Sequence, residues 1–322
     1  KQLATNASEL DVDDAVDVIE DLEESDQEAF LDNLPESERK LIEEGLNYPE
    51  DSAGRLMQRK FVSVSDEWNV GEAIDFLRTN TKELPEDFYE IYLTSNDNKI
   101  SGIVPLGRLM SSNRIIKLEN IKHKITRTVN VFTDQEEVAY QFNKYALVSA
   151  PVVNEDNVII GSVTVDDVVD VIEEEREEDI LKLGGVGQAD IYDAVIDTTK
   201  SRFSWLLVNL LTAVIASIVI GFFQASIEKV VALAVLMPIV ASMGGNAGTQ
   251  TLTVSVRALA MKELTAANAF KIVTKETFVG GINGFIFALI IGLLSAYWFN
   301  DTLLGFVIAL AMILNLIIAG LA

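Results

Sequence analysis

Hydrophobic positions run unbroken in the last third of the chain and alternate with polar ones before it. Four windows without a charged residue follow one another, 203–227, 230–256, 277–300 and 302–322. Each is long enough to cross a bilayer as a helix, which takes about 20 apolar residues. The link at 257–276 carries Arg257, Lys262, Lys271 and Lys275, and Lys200 and Arg202 precede the first window. Positive flanks stay in the cytoplasm, and the two sets lie on the same side. The pattern therefore predicts a multi-pass protein with a cytoplasmic N-terminal part.

The second window is apolar but not uniform. It holds Pro238, then Gly244-Gly245-Asn246-Ala247-Gly248-Thr249-Gln250. Proline frees a carbonyl in its own helix, and glycines let another backbone come close. Asn246 and Gln250 are four residues apart and share a helix face. Two readings stay open on these residues alone. One is a small-residue packing face with amides as interhelical glue; the other is a polar face replacing water around a hydrated cation. Glu276, Asn283 and Asn315 are further polar residues at or within the spans.

Before residue 200 the periodicity is that of short strands and helices, and it occurs twice. Phe61–Asp66, a helix over 70–77, Ile91–Thr94, a turn and Ile100–Val104 form one copy. Thr128–Asp134, a helix over 136–143, Ala150–Val153, a turn and Val158–Val163 form the next. The repeat resembles a tandem pair of α/β CBS domains, a module that often binds adenine nucleotides. Many members place Ser/Thr-x-x-Asp after the last strand, where the carboxylate holds a ribose. The second copy has it in Thr164-Val165-Asp166-Asp167, so Thr164, Asp166 and Asp167 are its candidate nucleotide residues. The first departs from it with Pro105-Leu106-Gly107-Arg108. His123, between the copies, reads as a surface residue.

An amphipathic helix is predicted over 11–24, with Val12, Ala15, Val16, Ile19 and Leu22 on its apolar face, and a second helix begins near Glu36. Another helix starts at Asp166 and is strongly acidic: Asp167, Asp170, Glu174 and Glu178 share a face, with Val168, Val171 and Ile172 beside it. Like charges at this spacing repel. The face is either simply solvated or a place where a hard divalent cation turns repulsion into attraction.

Charge sharpens the division. The chain has a net charge of −24; residues 201–322 hold six basic and four acidic side chains, leaving −26 on the first 200. Such a surface repels nucleic acid and attracts cations. Cysteine is absent, which excludes disulfides and thiolate metal sites. No nucleophile–base pair, Gly-rich phosphate loop or His/Cys metal site points to an enzyme. Lys1 at the start and the apolar run ending at Ala322 suggest a fragment at both ends.

The order of parts, with Tyr48-Pro49-Glu50-Asp51-Ser52-Ala53-Gly54-Arg55-Leu56-Met57, Glu178-Asp179-Ile180, Arg257-Ala258-Leu259-Ala260 and the Gly-Gly-Asn span, resembles the MgtE family of magnesium channels. The expected layout is the end of an acidic helical N domain (1–48), CBS domain 1 (49–119), CBS domain 2 (120–177), a connecting or plug helix (178–201) and a transmembrane helical bundle (202–322). The resemblance implies a homodimer in the bacterial inner membrane whose pore runs along the dimer interface. It also implies a fifth span, bearing the main pore aspartate, beyond this sequence. Gly244, Gly245, Asn246, Gly248 and Glu276 match pore-lining positions. Asp134, Glu136, Asp167, Asp170, Glu175, Glu178 and Asp179 match positions around regulatory Mg²⁺, with Asp13 and Asp17 as partners from the N domain. Ala146 stands where the family has an acidic residue. Mg²⁺ would be both cargo and brake, with ATP as a second ligand. The alternative is a CBS-regulated secondary transporter of divalent cations such as Co²⁺, Zn²⁺ or Mn²⁺; a nucleotide-sensing membrane scaffold without transport is the other rival.

Overall fold

A computed structural model describes residues 15, 16, 19, 27, 30–32, 34–81, 84, 85, 87–123, 127–186 and 194–321. The chain forms two compact units, Lys1–Arg176 and Glu177–Ala322.

In the first unit Ala15, Val16 and Ile19 are helical and pack with Phe30 and Ile42, as the apolar face predicted. The rest of that predicted helix, including Asp13 and Asp17, lies outside the described residues. Helix α1 (Glu36–Leu46) follows Pro35, whose fixed φ suits a helix entry.

Each CBS copy is a three-stranded sheet with one parallel and one antiparallel pairing. In the first, β1 (Ser63–Ser65) runs parallel to β2 (Glu90–Thr94), and β2 antiparallel to β3 (Ile100–Pro105). In the second, β4 (Val129–Asn130), β5 (Ser149–Val153) and β6 (Ile159–Thr164) repeat the order and even the irregularity of register in the hairpin. Helix α2 (Ala53–Leu56) comes first; α3 (Val70–Thr79) follows β1, and α4 (Leu106–Ser111) and α5 (Leu118–Ile121) follow β3. Helix α6 (Gln135–Tyr145) follows β4, and α7 (Val165–Leu183) follows β6. Asn69 and Glu72 cap α3 reciprocally, satisfying two of its orphan amides. Asp134 caps α6 by accepting from Glu136 N–H at 2.9 Å.

The two cores are separate. Val64, Ile91, Leu93, Val104 and Leu109 fill one; Val131, Val138, Phe142, Val152, Val163 and Val168 fill the other. Ala53 and Met57 belong to the second core, although the sequence reading assigns them to the first copy. Their segment bonds there through Ala53 N–H to Thr133 O, Gly54 N–H to Val131 O and the Gln58–Ser162 bridge. α5 and the Ile103–His123 bridge take the same place on the first copy.

The second unit contains α8 (Val195–Phe222), α9 (Gln224–Lys229), α10 (Val231–Ala260), α11 (Ala269–Phe299) and α12 (Thr302–Leu321). Helices α8, α10, α11 and α12 are long and apolar enough to span a membrane. Charge-free windows do not mark the helix ends. The first helix stops at Phe222, and α9 occupies the rest of the window; the third begins at Ala269, because Lys271, Lys275 and Glu276 are helix-compatible. α11 and α12 pack closely where Gly292 meets Gly305: a Cβ on Gly305 would lie 2.5 Å from the Gly292 carbonyl.

Candidate functional site

Helix α10 stays continuous through Pro238. Its packed face carries Leu236, Val240, Met243 and Ala247, which meet Ile308, Met312 and Leu316 of α12. Asn246 and Gln250 are exposed within the chain. Gly245 and Gly248 border open space, whereas a Cβ on Gly244 would lie 2.8 Å from Cγ of Asn315. The candidate pore residues therefore divide: Gly244 is a packing notch, while Gly245, Asn246, Gly248 and Gln250 lie toward space. Glu276 sits two turns into α11, largely covered, with Lys275 Nζ at 3.7 Å. A groove of about 480 Å³ lined by Phe278, Ile282, Phe285 and Ile317 is almost wholly apolar and offers an ion no ligands.

In the second CBS copy the Thr-x-x-Asp turn is formed. Asp167 Oδ2 accepts from the Thr164 N–H (3.0 Å) and hydroxyl (2.7 Å), and Gln58 Nε2 donates to Asp167 Oδ1 at 3.2 Å. Burial pushes the Asp167 carboxyl above the usual carboxylate range, and the Thr164 bonds oppose this. Asp166, beside it, is exposed. Gln58 carries no local sequence signal of this role; it reaches the turn because its segment pairs with β6.

A buried polar cluster joins the copies. Tyr92 Oη lies 3.1 Å from both Ser149 Oγ and Ser162 Oγ, and Ser149 Oγ donates to Glu90 Oε2 at 2.8 Å. Burial raises the Glu90 pKa against the pull of Ser149 and His123; burial likewise raises that of Tyr92. The cluster borders a cavity of about 20 Å³, also lined by Gln58, Lys60 and Thr164. That is room for a water rather than a nucleotide, so the cleft is shut as it stands. Serines at 149 and 162 carry no sequence signal of this role, because their partner Tyr92 is some sixty residues away.

The remaining candidate carboxylates are spread along two helices. Asp134 caps α6, and Glu136 stands in its first turn. Asp170 is exposed on α7, and Glu175 accepts from Gln135 Nε2 at 3.0 Å. Glu178 pairs with Lys182 one turn on, and Asp179 follows it in the second unit. Among the described residues no three His, Cys, Asp or Glu gather to hold a metal.

Among the described residues, a CBS pair and four membrane-length helices, one bearing a polar Gly-rich face, define a CBS-containing membrane protein. The divalent cation transporter model MgtE matches residues 237–322, the MgtE intracellular N domain model residues 1–51, and the CBS domain model residues 119–174. The magnesium transporter MgtE of Bacillus subtilis (strain 168) is 31% identical over 98% of this chain and 70% of its own. That of Thermus thermophilus is 33% identical over 96% and 70%. A crystal structure of the cytosolic domain of the Mg²⁺ channel MgtE in complex with ATP superposes with a TM-score of 0.50 at 31% identity, covering 52% of this chain and 69% of that one. The chain belongs to the MgtE family.

Proposed function

We propose that the chain carries Mg²⁺ across the bacterial inner membrane as a homodimeric channel, with its acidic part in the cytoplasm as an Mg²⁺-sensitive brake. The carrying observation is the face of α10: amides of Asn246 and Gln250, turned to open space in a 30-residue apolar helix. Amides left facing lipid are costly, so such a face belongs to a wet path or an interface. The names of its relatives supply the ion. Charges of the spans lie near helix ends, at Lys200, Arg202, Arg257, Lys271, Lys275 and Glu276. An ion-coupled transporter keeps ionisable groups near the midplane, and a further span could supply one, so conductance separates the two readings.

In this reading Mg²⁺ bridging the acidic residues of the N domain, the second CBS copy and α7 populates a closed state, as ordinary linkage requires. Asp134, Glu136, Asp167, Asp170, Glu175, Glu178, Asp179, Asp13 and Asp17 are the proposed ligands. ATP would take the turn of Thr164, Asp166 and Asp167, after the cavity beside Tyr92 opens. The likeness to an ATP-bound cytosolic domain supports that ligand.

The deciding experiment is uptake of Mg²⁺ into liposomes containing the protein, with conductance recorded across a planar bilayer. Uptake and conductance are expected; uptake without conductance would favour the coupled transporter. Protease protection of the acidic part should rise with millimolar Mg²⁺ and not with K⁺ at matched ionic strength.

A further inference from the structure

Among the described residues, a side-chain hydrogen bond joins helix α12 to α10. Asn315 Nδ2 donates to the Val240 carbonyl at 2.6 Å, amid the apolar packing of Val240, Met243, Met312 and Leu316. The same amide fills the notch at Gly244, where any Cβ would overlap it, with Cγ at 2.8 Å. Val240 and Gly244 are one turn apart, so Asn315 lies across a single rung of α10. At about 100° per residue, Asn246 stands about 200° round the helix from Gly244. Whatever holds Gly244 against α12 therefore turns Asn246 and Gln250 away from it.

We infer that Asn315 is a positioning residue for the ion path, an inference that rests on the reading of α10 given above. Its amide seats in the Gly244 notch, grips the Val240 carbonyl and sets the rotation of α10, and so the direction of the amides at 246 and 250. It acts through α10 and holds no ion itself. Apolar packing alone permits neighbouring helix rotations at little difference in energy; a hydrogen bond in a dry interface selects one.

The test uses the full chain in liposomes. Because the sequence has no cysteine, Gln250→Cys supplies a single thiol. Its rate of modification by a water-soluble thiosulfonate reads the direction of that face without depending on transport. In that background Asn315→Leu should change the rate by about three- to twentyfold, the span that one interhelical hydrogen bond in a membrane covers. Without the added thiol, the same substitution should raise the Mg²⁺ concentration for half-maximal uptake. A folded Asn315→Leu protein with both quantities unchanged overturns the inference. Should that variant fail to fold, Gly244→Ala and Asn315→Ala are compared singly and together. One shared contact requires the double variant to lose no more than Asn315→Ala alone, and additive losses overturn it. If the parent takes up no Mg²⁺, the transport reading fails while the thiol rates still decide the role of Asn315.

Discussion

In the first CBS copy the turn from β3 into α4 reads Pro105-Leu106-Gly107-Arg108; in the second, the turn from β6 into α7 reads Thr164-Val165-Asp166-Asp167. The backbones are alike: Leu106 N–H bonds to Tyr89 O and Val165 N–H to Val148 O, each just before the middle strand. The fourth residue of each turn meets the segment that bridges the last strand. In the second copy that pair is Asp167 with Gln58; in the first it is Arg108 with His123, at 2.8 Å. Pro105 has no N–H, so a carboxylate at 108 would lack the backbone donor that Asp167 finds in Thr164. One scaffold thus offers an anionic turn in one copy and a cationic one in the other. The copies meet at equivalent positions, Glu90 and Ser149, which bond directly.

The asymmetry is tested most severely at Tyr92, whose counterpart in the second copy is Pro151. Tyr92 is 2% exposed. Tyr92→Ala should cost about 3–5 kcal/mol, the range for emptying a buried aromatic site, and should separate the melting of the two copies. Tyr92→Phe keeps the ring and removes a hydroxyl that meets two serines, a loss of about 1–3 kcal/mol. Coincident transitions in Tyr92→Ala, read by calorimetry, would show that the copies are held together elsewhere.

Next come the turns themselves. Asp167→Ala removes the acceptor for the Thr164 N–H and the Gln58 amide, and should cost about 1–2 kcal/mol by analogy with a lost helix cap. It should also abolish any ATP binding seen by calorimetry. Arg108→Ala breaks an exposed contact and should stay within about 0.5 kcal/mol. Equal effects of the two would erase the distinction between the copies.

Glu90 gives a pH signature. Its folded-state pKa is raised by burial, so its stabilising contribution is fully present below the ordinary carboxylate value. It is lost as pH rises through the raised value. Above that range burial of the carboxyl is therefore a burden on the fold. Glu90→Gln, which still accepts from Ser149, should raise the melting temperature at neutral pH and flatten its fall between acid and neutral pH. Unaltered pH dependence would assign the effect to Asp167, whose pKa is raised in the same direction.

How far these features could be read from the sequence varies with range. The strands, α3, α6 and α7 follow local periodicity, and the spans follow from the absence of charge. The Thr164–Asp167 turn is also local, since both ends lie within four residues. Three features were not legible because they join distant segments: the passage of Ala53 and Met57 into the second core, the Tyr92–Ser149–Ser162 cluster, and Asn315 on Val240. Each depends on register between elements, which composition does not encode. Gly244, Gly245 and Gly248 look equivalent as a motif, yet only the first is filled by a neighbour.

A small effect of opposite sign sits at the end of α6. Ala146 closes that helix at φ +50°, in the left-handed region, and Leu147 N–H bonds back to Phe142 O. A Cβ there costs energy that glycine avoids, whereas α3 ends at Asn80 with a negative φ and carries no such strain. Ala146→Gly should therefore stabilise the second copy by about 0.5–1 kcal/mol, net of the extra freedom glycine has when unfolded. Chemical denaturation would show it as a shifted midpoint at constant slope. Asn80→Gly in the first copy should bring no such gain. Ala146→Asp keeps a Cβ but tolerates the left-handed turn better than alanine. If the missing carboxylate at this position weakens Mg²⁺ sensing, that substitution should lower the Mg²⁺ concentration at which protease protection appears. An effect on stability without one on protection would leave position 146 a matter of backbone alone.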